Sequence, residues 1–353
     1  MRYMRLDTAK KISKIGLGTW QFGSDEWGYG EAYSEHVAYA IVRRAVELGA
    51  TLFDTAEIYS AGRSERILGR ALGEDRESVF IADKIFPLAP GIPSAKQSAR
   101  ASASRLGVSR LDLYQVHYPN PLVSDRMIMR SMRSLRQAGL VGEVGVSNYS
   151  LMRWRAAENA LRGRILSNQV EYNLLHRSAE HDLLPFAESH GRMIIAFSPL
   201  AQGLLSGRYH GTSRPQDRLR ATSSRFFVES IEQTRPLITV LREIADAHSA
   251  TPAQIALAWI IRHPAVAAIP GASSVEQLES NVAAAEIQLP EDEYQALEMA
   301  SAWSAHADAP VAPLRRKLSE LKHSASAGPY LAKTIWHDYK LRHAPLNDSR
   351  NEE

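Results

Sequence analysis

Asp54, Tyr59, Lys84 and His117 stand at or just past the ends of short apolar runs. Asp54 closes Thr-Leu-Phe-Asp, with Tyr59 five residues on, Lys84 closes Val-Phe-Ile-Ala-Asp-Lys, and His117 closes Leu-Asp-Leu-Tyr-Gln-Val-His. Each alone has an ordinary structural use: a strand-end cap, a packed loop ring, a rim lysine, a satisfied core histidine. A carboxylate, a phenol, an ammonium and an imidazole in one pocket make a proton-donating site. Such a pocket requires elements that carry distant residues to one place. Parallel strands linked by helices do this, because their C-terminal ends gather at one rim.

The chain alternates accordingly. Strand-like runs cover 15–20, 51–56, 79–84, 111–117, 142–148, 167–172, 193–199 and 266–271. Helical periodicity covers 36–48, 63–72, 94–106, 125–138, 151–161, 181–189, 231–247 with 252–261, and 275–284. Eight strand–helix units over roughly 270 residues fit a closed (β/α)₈ TIM barrel, for which about 250 residues is usual. An open doubly wound sheet would carry Gly-x-Gly-x-x-Gly after its first strand, and no such motif is present. A single barrel domain is therefore expected over residues 1–300. A C-terminal extension over 301–353, covering or flanking the barrel, follows, with Leu314, Leu318 and Leu321 at helical spacing. A polar, arginine-rich insertion over 206–230 interrupts the seventh unit.

Composition narrows the function classes. The chain has 353 residues, 44% apolar and 23% charged, with a net charge of +3 and a pI near 9.0. No concentrated basic patch precedes the tail, so nucleic acid is not an expected partner. Cysteine is absent, which removes disulfides, thiolate nucleophiles and cysteine-held zinc. The most apolar stretch, 255–269, is broken by Arg262, His263 and Pro264, and the N-terminus lacks an apolar signal core. A cytoplasmic protein without membrane association is expected. Oligomeric state is not legible.

Several ordered motifs together resemble the aldo-keto reductase family. They are Gly-Ala-Thr-Leu-Phe-Asp-Thr-Ala-Glu-Ile-Tyr (49–59), Lys84, Asp-Leu-Tyr-Gln-Val-His (112–117), Gly-Val-Ser-Asn (145–148), Asn-Gln-Val-Glu-Tyr-Asn (168–173), Phe-Ser-Pro-Leu (197–200) and Ile-Pro-Gly-Ala (269–272). The resemblance covers about residues 5–300. It implies a barrel that reduces carbonyls with NADPH, usually without metal. Hydride transfer to an aldehyde or ketone builds negative charge on oxygen, which must be protonated. On this reading Tyr59 is the general acid, and Lys84 lowers its pKa by favouring phenolate. Asp54 pairs with Lys84, and His117 orients the substrate oxygen.

The resemblance also implies a cofactor site across the barrel mouth. Ser147, Asn148 and Gln169 match positions that meet the nicotinamide carboxamide, and Phe197 the ring that stacks on it. Ser198, Leu200, Gln202 and Gly203 form the turn whose main-chain amides wrap the pyrophosphate. Gly271, Ala272 and Ser273 precede a helix N-terminus suited to phosphate, while Gln277 and Asn281 match contacts to adenosine. Family members that prefer NADPH usually carry Arg or Lys where Gly271, Ser273 or Gln277 stand. NADP is the first expectation, NAD the second, with an arginine of 206–230 as a substitute clamp. Trp20, Phe22, Trp27, Tyr29, Phe86 and Tyr118 are candidates for an aromatic mouth, Trp20, Phe86 and Tyr118 foremost. The expected substrate is a small carbonyl compound: an aldehyde, ketone or keto-sugar. Two other readings stand beside this one, a channel-associated regulatory subunit and a net alcohol or sugar dehydrogenase. Metal-assisted hydrolysis is disfavoured, since His176 and His181 are five residues apart and off a common helical face.

Overall fold

A computed structural model describes residues 1–305, apart from 31–33, 87–90, 121–122, 210–212, 214, 216 and 222. Eight strands alternate with helices: β1 (Leu17–Gly18), β2 (Leu52–Asp54), β3 (Phe80–Ile85), β4 (Leu111–Val116), β5 (Val141–Ser147), β6 (Ser167–Glu171), β7 (Met193–Phe197) and β8 (Val266–Ala268). All neighbours pair in parallel and in chain order. The ring closes between its first and last members, where Ile15 bridges Ala268 and the Gly16 N–H donates to the Ala268 carbonyl at 2.8 Å. A closed parallel barrel leaves no open edge.

Around it run α1 (Glu35–Glu47), α2 (Arg63–Leu72), α3 (Ile92–Leu106), α4 (Asp125–Gln137), α5 (Leu151–Leu161), α6 (Leu183–Ser189), the short α7 (Arg218–Ala221), α8 (Val228–Gln233), α9 (Arg235–Ala247), α10 (Pro252–Arg262), α11 (Val275–Ala283) and α12 (Glu291–Ala305). Their sequences explain their placement. In α4, Ile128, Met129, Met132 and Leu135 recur at helical spacing and are buried, while the charged residues take the other face. In α10, Thr251 and Gln254 form a reciprocal capping box that satisfies two otherwise orphaned N–H groups.

β7 and β8 read as unbroken apolar runs because both of their faces are covered, whereas β3 to β6 carry polar residues among the apolar ones. Inside the barrel, Leu52, Phe80, Leu113, Leu166, Met193, Ile195 and Ala267 pack into one cluster, and Ile12 with Met4 and Leu6 packs against its N-terminal end. These last residues belong to a small antiparallel pairing, Tyr3 with Ser13, beneath the barrel. A second, larger cluster lies between strands and helices.

The helix Glu291–Ala305 carries no clear apolar period: Leu297 is buried in the core and Tyr294 stacks on Trp259, while polar contacts hold the rest. Arg177 pairs with Glu298 and the Trp259 indole N–H donates to Glu298 at 2.9 Å. The expected extension over 301–353 lies outside the described residues beyond the last turn of this helix.

Candidate active site at the barrel mouth

Asp54 ends β2, Lys84 lies near the end of β3, and His117 follows β4 directly, so three neighbouring strands present their side chains to one mouth. Tyr59 opens the turn after β2. The Lys84 ammonium is fully buried and donates to Asp54 Oδ1 at 2.6 Å, to the Thr55 carbonyl at 2.9 Å and to Tyr59 Oη at 3.2 Å. A buried lysine requires such partners, since an unpaired ammonium is far too costly away from water. The Gln169 amide donates to Asp54 Oδ2 at 2.6 Å, so both carboxylate oxygens are held. The His117 ring meets the edge of Tyr59 with centroids 5.7 Å apart, and stacks on Tyr118 at 4.6 Å and 11°. All four candidates meet in one place.

The electrostatics differ from the expectation in one respect. Burial pushes the Tyr59 phenol well above its usual pKa, and the neighbouring Asp54 charge adds to that. Lys84, which donates to Oη, is at the same time held by Asp54 at 2.6 Å, and burial prevails. Burial likewise raises the Asp54 carboxyl, with Lys84 and the Gln169 bond opposing the shift. The phenol is therefore protonated at neutral pH. An ammonium has donors and no acceptor, so the Lys84 bond to Oη leaves the phenol's own proton directed elsewhere.

Of the other candidates, Ser147, Asn148 and Gln169 form a linked set. Ser147 Oγ donates to the Gln169 carbonyl at 2.9 Å, and the Asn148 side chain donates to Ser147 Oγ at 3.0 Å and to the His117 carbonyl at 3.3 Å. Phe197 ends β7 beside Glu171. Beyond it Ser198, Ala201, Gln202 and Gly203 all have positive φ, so the turn folds tightly back on itself. The Gly203 N–H is spent within that turn, donating to the Leu200 carbonyl at 2.8 Å. At β8, Gln277 Oε1 accepts the Ser273 N–H at 3.0 Å, and the Asn281 amide donates to the Gly271 carbonyl at 3.3 Å. These two side chains brace the 271–273 loop. Trp20 is half-exposed, 6.4 Å from Tyr59 between ring centroids, and Phe86 sets its ring edgewise to His117. Phe22 and Tyr29, by contrast, are packed in the strand–helix core, and do not join the mouth.

A family model described as "Aldo/keto reductase family" matches residues 14–302. The chain belongs to the aldo/keto reductase family. It is 55% identical over 289 residues to an uncharacterized oxidoreductase of Mycobacterium bovis, covering 82% of this chain and 89% of that one. It is 32% identical over 290 residues to a methylglyoxal reductase of Escherichia coli, covering 82% and 91%. Among solved structures, an aldo/keto reductase from Klebsiella pneumoniae in complex with NADP and acetate aligns with a TM-score of 0.67 and 30% identity, over 84% of this chain and 94% of that one.

Several residues of this aldo-keto reductase site escaped the sequence reading. Thr55 supplies a carbonyl to Lys84, and the Gln21 amide donates to the Ala272 carbonyl at 2.9 Å, tying the first loop to the last. Arg220 pairs with Asp217 at 2.6 Å, donates to the Gln202 carbonyl at 3.4 Å and lies over the Trp27 ring at 5.3 Å. Arg225 pairs with Glu171 at 2.7 Å. Only the folded chain shows which arginines of 206–230 reach the mouth. Gln202 Oε1 and Trp27 Nε1 are buried without a hydrogen-bonding partner among the described residues. Among the described residues, no three His, Cys, Asp or Glu side chains are placed to hold a metal ion, and no helix is long and apolar enough to cross a membrane.

Proposed function

We propose that this oxidoreductase reduces a small carbonyl compound (an aldehyde, ketone or keto-sugar) with NADPH, and that Tyr59 donates the proton. The observation that carries the reading is the 3.2 Å bond from Lys84 Nζ to Tyr59 Oη. It orients the phenol so that its proton points away from the amine, and it strengthens on the phenolate as the proton leaves. The high pKa does not oppose the reaction, since an alkoxide is a far stronger base than a phenolate. His117, between Tyr59 and Tyr118, is placed to orient the carbonyl oxygen. Asp54 keeps Lys84 charged and fixed.

A nicotinamide cofactor, when bound, supplies the hydride. The residues that would hold it are Ser147, Asn148 and Gln169 at the carboxamide end, Phe197 against the ring, the 198–203 turn, and the loop braced by Gln277 and Asn281. Arg220, beside Gln202, would offer a cation to phosphate. NADP bound to the Klebsiella relative supports NADPH over NADH, and the methylglyoxal reductase relative supports a small carbonyl substrate.

Following NADPH and NADH oxidation against a panel of aldehydes, ketones and keto-sugars tests cofactor and substrate class together. Tyr59→Phe should lower carbonyl reduction by about 10²–10⁴-fold while cofactor binding persists. Wild-type turnover by that variant would remove Tyr59 from the role.

A further inference from the structure

Tyr59 is followed by a backbone that does not hold itself. Ser60, Ala61 and Gly62 all lie in the left-handed region, with φ of 48°, 54° and 77°. That conformation is strained for residues with a Cβ, and it persists only where the flanking structure over-determines it. At Gly62 a Cβ would also come within 2.6 Å of Arg105 Nε. On the far flank, Ser64 Oγ donates to the Thr19 carbonyl at 2.8 Å and lies 3.1 Å from Thr55 Oγ1.

The near flank depends on Glu57. Its main-chain N–H donates to the Lys84 carbonyl at 3.3 Å, and its carboxylate accepts the Phe86 N–H at 2.6 Å. These two bonds straddle Ile85, so the segment entering the turn is clasped to the strand end that carries Lys84. A carboxylate accepting a main-chain N–H makes a strong, charge-assisted bond. The Tyr59 N–H donates to the Ala56 carbonyl at 3.0 Å, so any shift of the clasped segment carries the phenol with it. Phe86, held by the same carboxylate, sets its ring edge on His117 at 6.4 Å. One side chain therefore connects the backbone settings of the phenol, the amine and the ring beside the imidazole.

We propose that Glu57 is a positioning residue that fixes the Tyr59 phenol at hydrogen-bonding distance from Lys84 by clasping the strained turn to the end of β3. It rests on the reading of Tyr59 as proton donor. Glu57 does not itself enter the chemistry, and its effect passes through the placement of Oη.

The test is a double-mutant cycle. Glu57→Ala and Glu57→Gln are made in the wild-type and Tyr59→Phe backgrounds, with single-turnover carbonyl reduction at saturating NADPH and NADPH affinity by fluorescence titration as readouts. Glu57→Ala should slow reduction by about 10- to 100-fold, the scale of a misplacement of about 1 Å, with NADPH affinity little changed. Glu57→Gln, which keeps an acceptor oxygen, should recover most of the rate. In the Tyr59→Phe background Glu57→Ala should add no further loss. If the alanine variant does not fold, Glu57→Asp, which keeps the charge but shortens the reach, takes its place. Additive losses, a glutamine variant as slow as alanine, or an unchanged alanine variant would overturn the clasp. Full activity of Tyr59→Phe alone would instead overturn the proton-donor reading, and the clasp with it.

Discussion

At the scale of single residues, the site is governed by a buried ion pair rather than by a lone amine. Lys84 and Asp54, 2.6 Å apart and both buried, lie against the phenol. The Asp54 charge, after burial, is what holds the Tyr59 pKa high. Removing it should therefore let the phenol ionise at lower pH. In the direction of alcohol oxidation Tyr59 must act as a base, so activity rises with pH as the phenol loses its proton. In Asp54→Asn that rise should move to lower pH, which a pH profile of alcohol oxidation checks; a rise at the same or higher pH contradicts it. The same variant leaves the Lys84 ammonium without its counter-charge and should cost about 3–5 kcal/mol of stability in urea unfolding. The four residue types were legible in the sequence because Asp54, Lys84 and His117 each close an apolar run and Tyr59 lies five residues past the first. The direction of the phenol's pKa was not, because it depends first on how completely the folded mouth buries the phenol and then on the Asp54 charge beside it.

At the scale of elements, the segment after β7 is fastened to the mouth by paired arginines. Arg225 reaches Glu171 at the end of β6, next to Phe197, and Phe226 packs edgewise on Tyr209 at 5.1 Å between ring centroids. Burial pushes the Glu171 carboxyl up, but Arg225 outweighs it and holds the carboxyl below its usual range. A depressed carboxyl adds stability that is present above its unfolded pKa and is lost as pH falls through the folded one. Arg225→Ala should therefore cost about 3–5 kcal/mol at neutral pH and lose less on acidification than the parent. It should also weaken NADPH binding more than it lowers kcat, since the loosened segment adjoins the mouth turn and not the reacting groups. Unfolding at pH 4 and 7, with a cofactor titration, checks both. The arginine-rich insertion was visible in the sequence. Which arginines faced the mouth was not, because an irregular segment has no period from which to read a face.

At the scale of the whole molecule, the closure between the first and last strands is also an electrostatic joint. Lys14 precedes β1 and donates to the Ile261 carbonyl at 3.1 Å and to the His263 carbonyl at the end of α10. Burial, reinforced by Arg2, lowers its pKa to about 8. In the unfolded chain a lysine keeps its proton to about 10.4. Between those values the unfolded state binds more protons, so stability rises with pH across pH 8 to 10, by on the order of 3 kcal/mol at most. Lys14→Met should abolish that rise. Urea unfolding at pH 8 and pH 10 in both proteins measures it, and an equal pH response in the two would refute it.

What the sequence by itself determined was the repeat and the chemistry. Strands buried on both faces read as apolar runs, amphipathic helices read as a 3.6 period, and the polar residues that close those runs mark the mouth. Only the tertiary structure decided how those residues act on one another. The clasp of Glu57 across Ile85, the brace of Gln277 on the Ser273 amide and the task of Gln169 at Asp54 are all non-periodic contacts. They join residues whose separation in sequence carries no signal, and their strength is set by distances that exist only once the barrel has closed.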